Sequence, residues 1–419
     1  MTAPPSRPSS SDSRGWVWLL MLFTIAGLAE TVFYGQTNAF TPIYLANLGL
    51  SVQAVASWTG WTAALASAFG LLFLPLWGAL ADRYARRPLI VRSFAVLAAA
   101  AGGMALSRGP WAFLAARALT ALALGNSGLM MTVLSERAPV GRHGLAFSIM
   151  NGAAPIGAFL GPLLGGPMVD RFGFRSLMAA DAVLLVVITF LVAFGYRDAY
   201  RGGSERPVLR MAWESATLLG RVPQLRSLFP ALFLLFGGWM MAFTYVPLAT
   251  GAIYTGPDIA SAVGLVMGTA GLMALILGPL VGAAADRWGH WRVVLIGAAV
   301  TVVLWPLPAL AHELGLFTGL WGILNGAVSS VFAVSFVLLA RSVTPEQRGR
   351  VMSFAYLPIN VGLLIGPGLG ALITRRTPFA VFPASALLTA AGVLVLLRAR
   401  KAVASSEPGG ELRGNNQES

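Results

Sequence analysis

The chain reads as an all-α membrane protein, twelve transmembrane helices arranged as two pseudo-symmetric six-helix bundles. Three observations lead there. The stretch Gly78–Pro88, GALADRYARRP, recurs as GAAADRWGHWR at 282–292, with Gly78, Ala81, Asp82 and Arg83 repeated 204 residues later as Gly282, Ala285, Asp286 and Arg287. Hydrophobic residues make up 57% of the 419 and charged ones 11%, far below the roughly 25% of a soluble domain. The basic residues also alternate between loops: with the N-terminus on the cytosolic side, 23 of 29 Lys and Arg fall in cytosolic loops and tails or, like Arg92 and Arg292, within a turn of them.

The duplication has a second support. Read without a gap, an offset of 205 lays Gly144, Ser148, Gly157, Gly161, Pro162 and Gly165 on Gly349, Ser353, Gly362, Gly366, Pro367 and Gly370. A shared offset in two separate stretches indicates two copies of one unit, and such repeats define the architecture.

Crossing about 30 Å of hydrocarbon takes roughly 20 apolar residues, and the mean hydropathy of +0.74 supplies them throughout. Twelve apolar runs are expected near 16–45, 53–80, 89–106, 110–134, 145–169 and 176–196, then 227–254, 259–284, 292–311, 315–340, 350–373 and 378–397. Backbone groups find no water in lipid, so runs of this length are helices. The expected organisation is a tail (1–15), a first six-helix bundle (16–196), a central loop (197–226), a second bundle (227–397) and a tail (398–419). The loop charge bias puts both termini in the cytosol; Arg171, Arg175, Arg375 and Arg376 are exceptions that recur at matching places in both halves.

Composition also excludes. There is no Cys, so neither a disulfide framework nor a thiolate metal site exists. His143, His290 and His312 fall at loops and form no HExxH, so no metal or other cofactor is expected. The net charge of +13 sits in membrane-flanking loops and implies no nucleic-acid partner.

In the first run, Glu30 is the single charge between Trp16 and Leu45. A carboxylate there costs roughly 2.5–3.5 kcal/mol on insertion scales, so such residues usually face a cavity. At helical spacing it shares a face with Phe33, Tyr34, Thr37, Asn38 and Thr41. The functional reading is a proton acceptor beside a substrate cavity, and the plainer one a Glu that fixes helix packing. Arg117 in span 4 is the basic residue placed within the bilayer. It needs a carboxylate or backbone carbonyls, and Glu30 is the natural candidate, against snorkelling to the nearer surface. In the second half, Phe236, Met240 and Phe243 of span 7, Asn325 of span 10, and Tyr356 and Asn360 of span 11 are the candidate cavity residues. Each is also compatible with plain packing. Asp181 and Glu313, near span ends, are expected to be solvated.

Several motifs resemble the major facilitator superfamily, from Trp16 to Leu397. Gly78, Leu80, Asp82, Arg83, Arg86 and Arg87 match its signature between spans 2 and 3, with Ala85 where the family has Gly. The resemblance implies a conformational latch between the halves, formed by Gly78, Asp82, Arg83, Arg86 and Arg87 with a weaker copy at Asp286 and Arg287, the Asp82 carboxylate near the N-terminus of span 11. Arg117 resembles the family's span-4 arginine, although Thr120 and Ala121 replace its neighbours. The loop TPEQRGR at 344–350 is similar to the family's turn between spans 10 and 11. In span 5, Gly157, Gly161, Pro162, Gly165 and Gly166 (GAFLGPLLGG) match the g-x-x-x-G-P-x-x-G-G motif of the 12-span drug:proton antiporters in full.

What the resemblance implies is a secondary transporter working by alternating access, exporting hydrophobic or cationic small molecules against protons, with Glu30 and Arg117 in proton coupling. Its expected partners are a small-molecule substrate, protons and the lipid bilayer. The expected setting is a monomer in the plasma membrane, of the bacterial inner-membrane kind. Alternatives are uptake of a small organic solute by proton symport or facilitated diffusion, a non-transporting sensor, or a membrane enzyme. The last lacks a nucleophile, a metal or paired acids.

Overall fold

The computed structural model describes residues 12–83, 85–123, 126–139, 141–198, 223–341 and 357–406. Within 72–83 only the backbone is described. The first half comprises α1 (Asp12–Asn47), α2 (Val52–Arg83), α3 (Arg86–Leu106), α4 (Pro110–Ala118), α5 (Asn126–Arg137), α6 (His143–Phe172) and α7 (Phe174–Gly195). The second comprises α8 (Pro223–Ile253), α9 (Ile259–Trp288), α10 (His290–Leu304), α11 (Leu314–Arg341), α12 (Leu357–Ile373) and α13 (Val381–Ser406). Ten helical segments among the described residues are long and apolar enough to cross a bilayer. The 32-residue α2 and the 17-residue α12 occupy the remaining two places in the twelve-span order.

Two spans depart from the expected unbroken helix. Span 4 is α4, then a 3-10 turn over Leu119–Ala123, then α5. The break follows Arg117, whose carbonyl accepts a 2.7 Å hydrogen bond from the Thr120 hydroxyl; short 3-10 stretches inside a helix often mark hinges. Span 9 ends early because Pro306 and Pro308 cannot continue an α-helix, leaving a 3-10 turn at Leu307–Leu310.

The duplicated turn is built in two ways. After α9, Gly289 takes φ 91° and its N–H caps the Ala285 carbonyl, a left-handed stop that suits glycine. After α2, Ala85 stands at φ −58°, ψ 137° and turns the chain through extended backbone. The departure from glycine there is therefore accommodated without strain.

Within each half, the fifth span packs on the first: α6 on α1, and α12 on α8. The halves meet along two seams, α6 with α9 and α2 with α12. In lipid no hydrophobic drive separates one helix from its surroundings, so small residues that let backbones approach matter most. Both seams are made that way. A Cβ on Gly166 would lie 2.6 Å from the Ala260 carbonyl oxygen, and one on Gly60 2.6 Å from that of Pro367. The central loop (199–222), the loop 342–356 carrying TPEQRGR, and both chain ends lie outside the described residues.

Candidate functional site

Between the seams lies a cavity of about 260 Å³. From α1 it receives Tyr34, Thr37, Asn38 and Thr41, and from α2 the small stripe Thr59, Ala63, Ala66, Ser67 and Gly70. Span 4 contributes Arg117, Thr120 and Ala121, and the second half Met240, Phe243 and Thr244 from α8 with Asn360 and Leu363 from α12. Both halves thus face one volume. Polar groups come mostly from the first half, and the large apolar side chains, Met240, Phe243 and Leu363, come from the second.

Eight of the candidate residues singled out in the sequence meet here: Tyr34, Thr37, Asn38, Thr41, Arg117, Met240, Phe243 and Asn360. Three others do not line the cavity. Phe33 is buried inside the first half. Phe236 packs edge-on against Phe332, with ring centroids 4.7 Å apart. Asn325 is held within the second half, accepting from Trp239 Nε1 at 2.9 Å and donating to the Ala270 carbonyl at 3.0 Å. Tyr356 lies outside the described residues. The α2 stripe is what sequence reasoning missed, although small and hydroxyl residues at positions 59, 63, 66, 67 and 70 follow helical spacing.

Arg117 finds partners other than the one expected. Its guanidinium donates to Asn38 Oδ1 at 2.6 Å and to Thr41 Oγ1 at 3.0 Å, both on α1. No ion pair with Glu30 forms among the described residues. The reason is axial position: Asn38 and Thr41 stand two to three turns beyond Glu30 along α1. Arg117 is only 8% exposed and its Nε has no partner. It does not snorkel, and it is the one fully charged side chain on the described cavity wall.

Glu30 sits one turn nearer the termini than Tyr34 and is not among the lining side chains. Its Oε2 has no hydrogen-bond partner. Asn126 on α5 is likewise buried, and neither of its polar side-chain atoms has a hydrogen-bond partner. Tyr34 lies within electrostatic reach of both Glu30 and Arg117. Acid, phenol and guanidinium therefore follow one another up the inner face of the first half.

Asp181 on α7 reverses its expectation of solvation. It is 4% exposed, and Oδ2 is buried without a partner. Nearness to a span end does not expose a side chain that points between helices. Glu313 is exposed.

The contacts described for Arg86 and Arg87 of the expected latch are with residues of the first half. Arg86 forks onto Glu136, Nη1 to Oε2 at 2.6 Å and Nη2 to Oε1 at 2.8 Å, and its backbone N–H donates to Asp198 Oδ2 at 3.0 Å. The Arg87 guanidinium donates to the Ala193 carbonyl. These contacts tie together the ends of α3, α5 and α7. In the second copy Asp286 is 76% exposed at the side chain and 3.5 Å from His290 Nε2, one turn along; Arg287 is exposed. Gly78, Asp82 and Arg83 belong to the part of α2 whose side chains lie outside the description. No group of three His, Cys, Asp or Glu among the described residues could hold a metal ion.

The span-5 motif lies where α6 is pressed between α1 and α9. A Cβ on Gly161 would lie 2.8 Å from the Val32 carbonyl oxygen, one on Gly165 2.7 Å from the Phe40 ring, and one on Gly157 would overlap Thr31. Gly166 turns the other way, toward α9.

Comparison with known proteins agrees with this architecture. The sequence profile of the Major Facilitator Superfamily matches residues 19–260 and 252–416. The chain is 28% identical over 364 residues to the multidrug resistance protein MdtG of Escherichia coli, spanning 85% of this chain and 86% of that one. It is 26% identical over 339 residues to the multi-drug resistance efflux pump PmrA homolog of Lactococcus lactis, spanning 80% and 82%. Among solved structures, the nucleoside transporter NupG superposes with a TM-score of 0.76 at 14% identity, covering 91% of this chain and 99% of that one. A bacterial homolog of the human lysosomal transporter Spinster gives 0.70 at 15% identity, covering 95% and 97%. Twelve spans in two halves around a shared cavity, and a profile that matches both halves, lead to one assignment: the chain belongs to the Major Facilitator Superfamily and is a multi-pass membrane transporter, not an enzyme.

Proposed function

We propose that this transporter exports hydrophobic small molecules in exchange for protons, with Glu30 as the coupling acid. The observation that carries the reading is the placement of Glu30. It is a membrane-embedded carboxyl with an unpartnered oxygen, one helical turn from Tyr34 on the cavity wall and without a cationic partner among the described residues. Such a group is costly unless it works. Met240, Phe243, Leu363 and the alanines of α2 and span 4 supply the apolar surface, and a cavity of this kind selects by shape and apolar area. The multidrug efflux relatives support the direction. In this reading both termini face the cytosol of a bacterial inner membrane and a monomer suffices.

The cationic part of the expected substrate class has weaker support. Arg117 on the wall repels a cation, while Glu30 would have to attract one from a turn away. The same observation favours a second reading, proton symport of an anionic solute. An anion docked on Arg117 would travel with a proton on Glu30, whereas a hydrophobic solute that crowds Tyr34 would displace one.

The test is transport into proteoliposomes under an imposed pH gradient, using a neutral lipophilic dye and a lipophilic cation, with wild type and Glu30→Gln. Export by antiport requires gradient-driven accumulation in wild type and its loss, by tenfold or more, in the variant, with dye binding retained. Proton release on dye binding to purified protein supports antiport, and proton uptake supports symport. A variant that accumulates dye like wild type makes Glu30 a packing residue.

A further inference from the structure

The face of the molecule away from the termini carries an arrangement that the sequence motifs did not announce. Asp170, near the end of α6, reaches across the seam into the second half. Its Oδ1 accepts the Ala260 backbone N–H at 2.9 Å, and its Oδ2 accepts the Ser261 N–H at 2.8 Å and the Ser261 hydroxyl at 2.6 Å. Ala260 and Ser261 are the second and third residues of α9, the positions whose N–H groups an N-cap residue normally satisfies. The residue at α9's own N-cap position, Asp258, makes no capping bond. The cap of this helix is therefore supplied by the other half of the molecule.

The sequence around Asp170 explains why it stands there. Gly166-x-x-x-Asp170-Arg171-Phe172-Gly173 has the spacing of Gly78-x-x-x-Asp82-Arg83-Tyr84-Ala85 and of Gly282-x-x-x-Asp286-Arg287-Trp288-Gly289. It is a third copy of the small-Asp-Arg-aromatic-small turn, placed on the opposite face. Gly166 lets the copy close, since a Cβ there would lie 2.6 Å from the Ala260 carbonyl oxygen and 2.8 Å from Ser261 Cα. Below it the seam stays tight. A Cβ on Gly268 would be 3.0 Å from the Phe159 carbonyl oxygen, and one on Gly271 2.6 Å from the Ala158 carbonyl carbon.

We propose that Asp170 is a gating residue: its carboxylate clasps the N-terminus of α9 while the face away from the termini is closed, and releases it each time that face opens. Alternating access requires interactions that differ between the two states. A carboxylate on three donors at a helix N-terminus is charge-assisted and favoured by the helix dipole. All three bonds cross between the halves, so opening this seam breaks them together and puts both partners into water. The clasp acts on the transporter as a conformational switch and does not depend on which ion drives transport.

The chain has no cysteine, so pairs of spin labels can be introduced without background. One pair, Leu106→Cys with Leu310→Cys, reports the face away from the termini; the other, Leu145→Cys with Trp288→Cys, reports the terminal face. All four positions are exposed. Distances measured by electron paramagnetic resonance in lipid nanodiscs, without substrate or gradient, should show the first pair mostly at its short distance. Asp170→Ala should raise the open-to-closed ratio at that pair about tenfold, as expected for losing hydrogen bonds to a charged group, with the second pair shortening in step. Ser261→Ala should shift both pairs in the same direction by a smaller factor. If Asp170→Ala does not fold, Ser261→Ala and Gly166→Ala carry the test. Wild-type distributions in these variants, a wild type already open at the first pair, or widening of the first pair without shortening of the second would each overturn the clasp. A failure of proton coupling in the dye experiment leaves these distances unaffected, so the two ideas stand or fall separately.

Discussion

Helices α6 and α12 descend from one segment of the duplicated unit, and they keep the same glycines and proline for the same purpose. Gly157, Gly161 and Gly165 press α6 onto α1; Gly362, Gly366 and Gly370 press α12 onto α8. A Cβ on Gly161 would lie 2.8 Å from the Val32 carbonyl oxygen and one on Gly366 2.9 Å from that of Gly237. Each helix then turns its other side to a helix of the opposite half. They differ at the end. Where α6 has Gly166 and Asp170, the offset of 205 gives Ala371 and Arg375. Asp170 caps α9 from across the seam, whereas the corresponding helix of the first half, α2, is capped locally, Ser51 Oγ accepting the Ala54 N–H at 3.3 Å. The glycine-proline motif is thus a packing device common to both halves, and what is particular to α6 lies in the last turn of its motif and just beyond it.

The largest effect should come from breaking what the two helices share. Gly161→Ala and Gly366→Ala each force a methyl against backbone that has nowhere to move, so each should cost about 1–3 kcal/mol. Unfolding of the two variants in detergent, followed by circular dichroism, should give losses within about 1 kcal/mol of each other. A neutral Gly366→Ala beside a damaging Gly161→Ala would show that the span-5 motif has a role its copy lacks, and the packing equivalence would be lost.

A smaller effect should separate the polar contacts that flank the prolines. In the first half Gln36 Nε2 donates to the Gly161 carbonyl at 3.1 Å, while its own Oε1 is buried without a partner. In the second, the Tyr245 hydroxyl bridges the Pro367 carbonyl at 2.7 Å and the Ala56 carbonyl of the other half at 3.2 Å. Tyr245→Phe should lower stability by about 0.5–1.5 kcal/mol, the usual net worth of a buried hydrogen bond. Gln36→Leu should change it by less, because it removes one bond together with one unsatisfied oxygen. Denaturant titrations of both variants check the order.

These comparisons show which parts of the molecule a sequence can carry. The twelve spans and the duplication were legible because hydrophobic length and repeated Gly, Asp and Arg are properties of the chain itself. Tyr34, Asn38, Met240 and Asn360 could be placed at the cavity because a helical face is set by spacing. The partner of Arg117 could not, since Asn38 and Glu30 lie on the same face of α1 and only its height in the bilayer separates them. Asp181 is buried against expectation for a related reason: distance to the span end sets depth, while burial depends on which neighbour the side chain faces. The break after Arg117 involves no proline, and the contact of Asp170 with α9 depends on how the two halves meet, which spacing along one chain does not specify.

The smallest effect tests the capping difference directly. Ser51→Ala removes the local cap of α2 and should cost about 0.5–1 kcal/mol, at the low end for N-caps because the bond is long. Asp258→Ala, at the matching position before α9, should fall within about 0.5 kcal/mol of wild type, since Asp258 makes no capping bond. The expected asymmetry is modest but its sign is informative. If Asp258→Ala is the more damaging of the two, α9 depends on its own N-cap in solution and Asp170 adds little. If Ser51→Ala is the more damaging, α9 relies on the other half for its cap, and the end of one helix is completed only when the two halves are together on that face.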